Sequence, residues 1–131
     1  MKKSLLLAAA LVCSGAVAQE KQIWACQQVK GTMLKWEGSS WRSLGLSGVP
    51  LLLTLDGENS SYKMGDRVAR LTCSTAGGRL SCLSVTKSTH ILIDLNSGRL
   101  GMSSLYGAVM AAEEDNYKDS INAEAFNCTK F

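Results

Sequence analysis

The side chains that could take part in chemistry are one histidine, five cysteines and a group of carboxylates. His90 could act as a general base, but no Cys, Ser or carboxylate accompanies it in a known catalytic pattern, so we expect a surface or packing role. The carboxylates between 113 and 119 could bind Ca²⁺, yet they lack the alternating ligands and central glycine of an EF-hand and have Lys118 among them. A solvated loop is the favoured interpretation. The sequence therefore predicts no catalytic site, no metal site and no cofactor.

The cysteines could act as thiolates, as zinc ligands or as disulfides. Cys13 lies in a predicted export signal, which leaves an even set of four: Cys26, Cys73, Cys82 and Cys128. An even number of cysteines in a short exported chain is typical of a disulfide framework. Their spacings contain no C-x-x-C pair, which disfavours zinc. Pairing all four leaves no free thiolate for catalysis.

Turn chemistry favours one of the three possible pairings. Gly77-Gly78 is a strong two-residue hairpin turn, because both positions can take a positive φ. With that loop, Cys73 lies directly opposite Cys82 at a non-hydrogen-bonded site, where Cα atoms are about 4.5 Å apart. Cys26 and Cys128 then remain for each other and join the first strand to the last. This second bridge closes a loop of roughly 100 residues, worth up to about 4.7 kcal/mol.

The three tryptophans, Trp24, Trp36 and Trp41, all lie in the first part of the chain after the signal. One interpretation gives them a role in the core and at its rim. The other makes them a binding surface, because exposed tryptophans with an arginine nearby resemble the energetic centres of protein interfaces. On that second interpretation the candidate partner-binding residues are Trp36, Trp41 and Arg42.

The N-terminus has the three parts of a secretory signal peptide. Met1-Lys2-Lys3 is positively charged, residues 5–12 are apolar, and Ala16-Val17-Ala18 is a small-residue cleavage site. A lipidated Cys13 is the alternative, but Val12 is too large for the position before such a cysteine. We predict cleavage after Ala18, which gives a signal peptide at 1–18 and a single domain at 19–131 that is periplasmic or secreted. No later segment is long enough to cross a membrane.

The charge of the mature domain is nearly balanced. Once Lys2 and Lys3 leave with the signal, the 14 basic residues become 12 against 11 acidic ones. A nucleic-acid-binding protein needs a clearly basic surface, so this class is excluded. No block of like charge indicates a helix that lies on a membrane surface.

Short apolar segments separated by turn residues indicate strands along the whole domain. Lys30-Gly31 is interpreted as a tight turn between strands at 23–29 and 32–37. The central cysteine hairpin follows at 67–75 and 79–86.

A further hairpin is expected to turn at Ser97-Gly98. This turn pairs Leu95 with Leu100 and Ile93 with Met102, which places apolar side chains on one face. The total is about eight short strands, and the predicted fold is all-β: a small antiparallel β-barrel or sandwich cross-linked by two disulfides.

The order of these features resembles a loose group of small exported proteobacterial proteins of unknown function. The resemblance spans 24–130 and rests on a cysteine strand, a Gly-Thr turn, Leu34-Lys35-Trp36-Glu37, Trp41, the cysteine hairpin and a terminal Phe126-Asn127-Cys128-Thr129-Lys130. It implies an exported location and a β-rich fold. It brings no activity and no site.

Three functions fit these observations. The first is a non-enzymatic domain that binds another exported protein, for example as an inhibitor or immunity protein, and it predicts an exposed patch around Trp36, Trp41 and Arg42. The second is a small-ligand carrier, which predicts an apolar cavity inside a barrel. The third is a periplasmic enzyme, which predicts a cleft with two or more carboxylates of shifted pKa, or with His90 beside a carboxylate. The oligomeric state is left open by the sequence.

Overall fold

The structure, a computed structural model, describes residues 20–84, 89–105 and 120–131. The predicted signal peptide and the acidic run 113–119 lie outside these residues. The described strands are β1 (Gln22–Trp36), β2 (Trp41–Leu46), β3 (Leu51–Leu55), β4 (Ser61–Met64), β5 (Arg67–Arg70), β6 (Thr72–Ala76), β7 (Arg79–Ser84), β8 (Thr89–Asp94), β9 (Arg99–Ser104) and β10 (Ser120–Lys130). Within this part of the chain, a short 3₁₀ turn at Gly57–Asn59 is the one helical element, and no helix is present that could span a lipid bilayer.

The two ends of the sheet meet at Leu71. The strands follow the order β5-β4-β3-β1-β10-β9-β8-β7-β6, and only Leu71 separates β5 from β6 in the chain. The Leu71 N–H donates to the Ser60 carbonyl oxygen at 2.8 Å. One bent strand therefore forms both edges, and the sheet is a nearly closed antiparallel barrel. The predicted all-β fold is confirmed, and of the two architectures considered the chain adopts the barrel-like one.

The barrel interior is filled by side chains from every strand except β2. Strand residues alternate between the two faces, so every second residue points inward. In β3, for example, Leu51, Leu53 and Leu55 are buried, as their spacing predicts. The buried apolar residues of the described chain are Trp24, Cys26, Leu51, Leu53, Leu55, Tyr62, Ala69, Leu71, Leu80, Cys82, Ile91, Ile93, Leu100, Met102 and Phe126.

Both predicted disulfides are present. Cys73 and Cys82 are directly opposed in the β6–β7 hairpin and bonded with an S–S distance of 2.09 Å. Cys26 and Cys128 are directly opposed on β1 and β10, with an S–S distance of 2.05 Å. Two strands, β9 and β8, separate these bridges on one side of the barrel, and three, β3, β4 and β5, separate them on the other. They therefore cross-link opposite walls.

The predicted turn at Lys30-Gly31 is wrong, because β1 continues through it. The pairing of β1 with β10 shifts register between Gln28 and Lys30, so Val29 is an extra residue in a β-bulge. Gly31 does not have a positive φ. A Cβ atom there would lie 2.5 Å from Gln28 Nε2, which would have to move, and 3.0 Å from Leu46 Cβ, so glycine suits this closely packed position.

The β8–β9 hairpin forms, but its predicted register is wrong by two residues. Ile93 faces Leu100 and Ile91 faces Met102. The apolar residues still point inward, because a shift by two keeps every side chain on its original face.

The turn chemistry explains this register. The Asp94 carboxylate accepts hydrogen bonds from the N–H groups of Asn96, at 2.9 Å, and Ser97, at 3.2 Å. These two bonds hold the pKa of Asp94 below its usual range. The Gly98 N–H closes the turn on the Asp94 carbonyl oxygen at 2.8 Å, and Gly98 has φ +70°. The turn therefore needs four residues between the strands instead of the two that Ser97-Gly98 predicted.

The far half of β1 pairs with β2 instead of β3 and forms a three-stranded ribbon with β2 and β10. Residues 31–36 of β1 pair with β2 on one side, and residues 30–35 pair with the start of β10 on the other. β9 stops opposite Asn122, so the ribbon continues past the end of β9. Trp36 lies one residue beyond the last β1–β10 pair, Lys35 with Ser120. The β1–β2 hairpin therefore ends in a tip that extends past its neighbouring strand.

Candidate functional site

Two tryptophans face each other at the tip of the β1–β2 hairpin. The turn at 37–40 is closed by the Glu37 N–H, which donates to the Ser40 carbonyl oxygen at 2.9 Å, and Gly38 has φ +87°. Directly below the turn, Trp36 is paired with Trp41. Their ring centroids are 5.4 Å apart and the ring planes are tilted by 58°. Such a tilted aromatic pair is favourable and holds both rings in a defined position.

The three tryptophans do not share one environment. Trp24 is 5% exposed and belongs to the barrel core. Trp36 and Trp41 are 37% and 47% exposed. The core interpretation therefore describes Trp24, whereas the tip pair lies at the surface. The sequence left both interpretations open for all three tryptophans, and the pairing and exposure in the structure separate Trp24 from the tip pair.

Arg42 lies at the same tip but on the other face of the hairpin. It pairs with Lys35, one residue away from the Trp36–Trp41 pair, so its side chain points to the opposite side. Its Nε is 2.7 Å from Glu37 Oε1, and both side chains are well exposed. An exposed ion pair of this kind contributes little to stability, about 0–1 kcal/mol. The three candidate residues are thus brought to one tip and not to one face.

The tryptophan pair is part of a larger apolar face. Leu34 is 39% exposed, and it is paired with Ser43 on β2 and with Ile121 on β10. We call the surface formed by Leu34, Trp36, Trp41 and Ile121 the tryptophan face. The sequence analysis missed Leu34 and Ile121. The alternation of Leu34 with Trp36 was visible, but the pairing of β1 with β10 was needed to bring Ile121 beside them.

His90 lies on the outer wall of the barrel. It is exposed, and its Nε2 is 2.8 Å from the Ser81 hydroxyl oxygen. A serine hydrogen-bonded to a histidine is one part of a hydrolytic site, but such a site also needs an orienting group and donors for an oxyanion. The structure gives His90 a polar partner, the Ser81 hydroxyl, on the outer wall.

The barrel end next to the ribbon is polar on its inner side. Gln28 Nε2 donates to Glu124 Oε2 at 2.6 Å. Burial raises the pKa of Glu124, and the Gln28 hydrogen bond opposes this rise. Ser84 and Thr89 are paired with each other on the same inner side, and both are buried. Among the described residues there is no group of three or more His, Cys, Asp or Glu side chains that could hold a metal ion.

A shallow hollow of about 440 Å³ opens on the outside of the barrel. It lies over β1, β3 and β10, and its lining includes Ala25, Val49, Leu52 and Lys63. Its position on the outside differs from the interior cavity that a barrel-type carrier would use.

Comparison of the chain with protein-family models, with curated proteins and with solved structures found no match.

Proposed function

We propose that this protein is an exported, non-enzymatic domain that binds another exported protein through the tryptophan face. The observation that carries the proposal is the exposed Trp36–Trp41 pair at the tip of the hairpin. Tryptophan is enriched among the residues that dominate binding energy at protein interfaces, and contiguous exposed apolar surface is a mark of interaction sites.

The rigidity of the hairpin supports this role. The stem of the tip is held by β1 in the centre, β2 on one side and β10 on the other. The Cys26–Cys128 disulfide ties β1 to β10 further along the same strands. A surface that is already ordered loses less conformational entropy on binding. The tip therefore suits recognition of a folded partner.

The proposed location is the periplasm or the outside of the cell. Two disulfides form in oxidising compartments, and the predicted signal peptide gives a route to them. An inhibitor or an immunity protein that guards against an exported hydrolase is one form of this function. Its partner would be the hydrolase itself.

The experiment compares capture of a partner by the native protein and by tip variants. A photoreactive phenylalanine analogue replaces Ser39 in the turn, and the protein is expressed with its own N-terminal segment in its native cell. Irradiation is expected to link the tip to one exported protein. Purification of that protein then allows the dissociation constant to be measured by calorimetry.

Trp36→Ala and Trp41→Ala are expected to weaken binding at least about tenfold, a loss of about 1.4 kcal/mol or more. Leu83→Ala is the matched control, because Leu83 is 50% exposed on the barrel wall at β7. Thermal unfolding of each variant is measured to verify the fold. Equal binding by the tip variants and the control would show that the tryptophan face is not the contact surface.

A further inference from the structure

The outer edge of β2 has no neighbouring strand in the part of the chain that the structure describes. On its other side β2 is paired with β1. The Glu37–Ser40 hydrogen bond fixes the alternation of the hairpin, so Trp36 and Trp41 form a non-hydrogen-bonded pair. The backbone groups of Trp41, Ser43 and Gly45 therefore point away from β1. These residues present three N–H donors and three carbonyl acceptors along one edge.

The geometry points to a second copy of this chain as the occupant of that edge. Two β2 strands can pair antiparallel around a two-fold axis through Ser43. Ser43 then faces the partner's Ser43, and Trp41 faces the partner's Gly45. Every outward N–H and C=O of the two β2 strands is satisfied in this register, and all the pairs lie within the six residues of β2.

The side chains of β2 suit this register. A Cβ atom on Gly45 would meet nothing within 4 Å, so space is open for the ring of the partner's Trp41. An aromatic side chain opposite a glycine on an edge strand protects the glycine backbone and is a known stabilising pair. Ser43 opposite its own copy places two small polar side chains together, without a clash or a charge.

Edge strands are usually protected against pairing with another chain, and β2 has little of this protection. Proteins block exposed edges with charges, proline or bulges. The segment β2 contains no proline, and its one charged residue is Arg42. Arg42 Nε is 2.7 Å from Glu37 Oε1 of the same hairpin, so the charge of Arg42 is balanced within each copy. Two copies therefore do not bring together two unbalanced positive charges. The edge therefore lacks the repulsion that would keep a second copy away.

The dimer would also place both tryptophan faces on the same side of one continuous sheet, β1-β2-β2-β1. Two identical contact surfaces on one rigid body allow bivalent binding, which raises apparent affinity without new contacts. The dimer itself does not depend on the proposed function, because it rests on the backbone edge and on β2 alone.

The test is a register-specific cross-link in the purified native protein. Ser43→Cys is expected to form an intermolecular disulfide, because the two Cα atoms of this hydrogen-bonded pair would be about 5.5 Å apart. Ser39→Cys is the matched control: it lies in the turn of the same hairpin, far from its copy, and is expected to stay unlinked. Mass spectrometry after proteolysis verifies that the two native disulfides are intact.

Sedimentation equilibrium tests the same edge without a cross-link. Ser43→Pro removes an N–H that points away from β1, so it blocks the edge and leaves the β1–β2 ladder in place. The wild-type protein is expected to form a dimer, and Ser43→Pro is expected to weaken it about tenfold or more, because two symmetric hydrogen bonds are lost. Near-ultraviolet circular dichroism verifies the fold of the variant.

A monomeric wild-type protein at its highest soluble concentration would overturn the proposal, and so would a dimer that Ser43→Pro leaves unchanged. If the wild-type protein is monomeric and Ser43→Pro loses the photo-captured partner, the edge takes a strand of that partner instead of a second copy. Loss of partner binding in Trp36→Ala with an intact dimer would show that the partner contact and the dimer edge are separate, because Trp36 lies in β1 and not on the β2 edge.

Discussion

Glu124 is a carboxylate placed where its charge is costly. It lies half-buried on the inner side of β10 with the Gln28 amide as its hydrogen-bond donor. Burial raises its pKa in the folded protein. The charged form therefore destabilises the fold above that pKa, and the cost disappears as the pH falls towards the unfolded pKa.

Replacement of this side chain by a neutral one of the same shape is expected to be stabilising. Glu124→Gln keeps an oxygen that accepts from Gln28, so it should raise the free energy of unfolding at pH 7 and give a smaller gain in mildly acidic solution. Urea denaturation at several pH values measures this, with the exposed Glu58→Gln as control. A gain that does not change with pH would contradict the role of the charge.

The tip shows the limit of prediction for single residues. The residue types of Trp36, Trp41 and Arg42 suggested an interaction site, and the hairpin brings them together. Trp41 and Arg42 are consecutive residues of β2, so alternation along the strand places their side chains on opposite faces. The pairing of Trp36 with Trp41, which puts both rings on one face, depends on the hairpin register and was not predicted.

At the scale of single elements, glycine has different roles at different turns. Gly98 has φ +70°, and a Cβ there would collide with the backbone of Cys128. Gly77 also has a positive φ but would meet nothing within 4 Å, and Gly101 in β9 has neither constraint. Alanine substitutions at these three positions can therefore distinguish the cost of backbone strain from the cost of a steric collision.

The stability losses on substitution by alanine should follow that order. Gly77→Ala is expected to cost about 1–2 kcal/mol from the left-handed conformation alone. Gly98→Ala should cost about 3 kcal/mol or more, because the collision adds to the strain. Gly101→Ala should have little effect or stabilise by up to about 1 kcal/mol. Urea denaturation of the three variants tests the order, and a similar cost at Gly77 and Gly98 would contradict the collision.

The sequence predicted the register of a hairpin correctly where two independent sequence features required the same register. In the β6–β7 hairpin, the Gly77-Gly78 turn and the cysteine spacing required the same register, and that register is observed. In the β8–β9 hairpin, the Ser97-Gly98 pattern stood alone. There the Asp94 side chain bonded to the turn and set a longer loop. Local competition of this kind is hard to read from residue types.

For the whole molecule, the two disulfides should contribute unequally. They join residues separated by 102 positions and by 9 positions. In the chain-entropy model such loops are worth about 4.7 and about 2.6 kcal/mol. Each bridge includes one cysteine that is almost completely buried, Cys26 and Cys82, so the packing losses should nearly cancel in the comparison.

Removal of the long-range bridge is therefore expected to cost about 2 kcal/mol more. Two double variants are compared by urea denaturation under oxidising conditions. One combines Cys26→Ala and Cys128→Ala, and the other combines Cys73→Ala and Cys82→Ala. Equal losses would indicate that the unfolded chain is already compact enough to bring the first and last strands together.

The sequence by itself determined the all-β class, the two disulfide pairings and the absence of a recognisable reactive motif. These follow from local features: alternation with a period of two, turn residues and the cysteine count. The tertiary structure decided that the sheet closes on itself, because the bend at Leu71 joins strands that are neighbours in the chain but lie at opposite ends of the sheet order. It also decided which tryptophans are exposed. β1 continues through a bulge at Val29 to its pairing with β2, and this pairing involves contacts between Gln28, Gly31 and a strand that lies about 90 residues away in the chain.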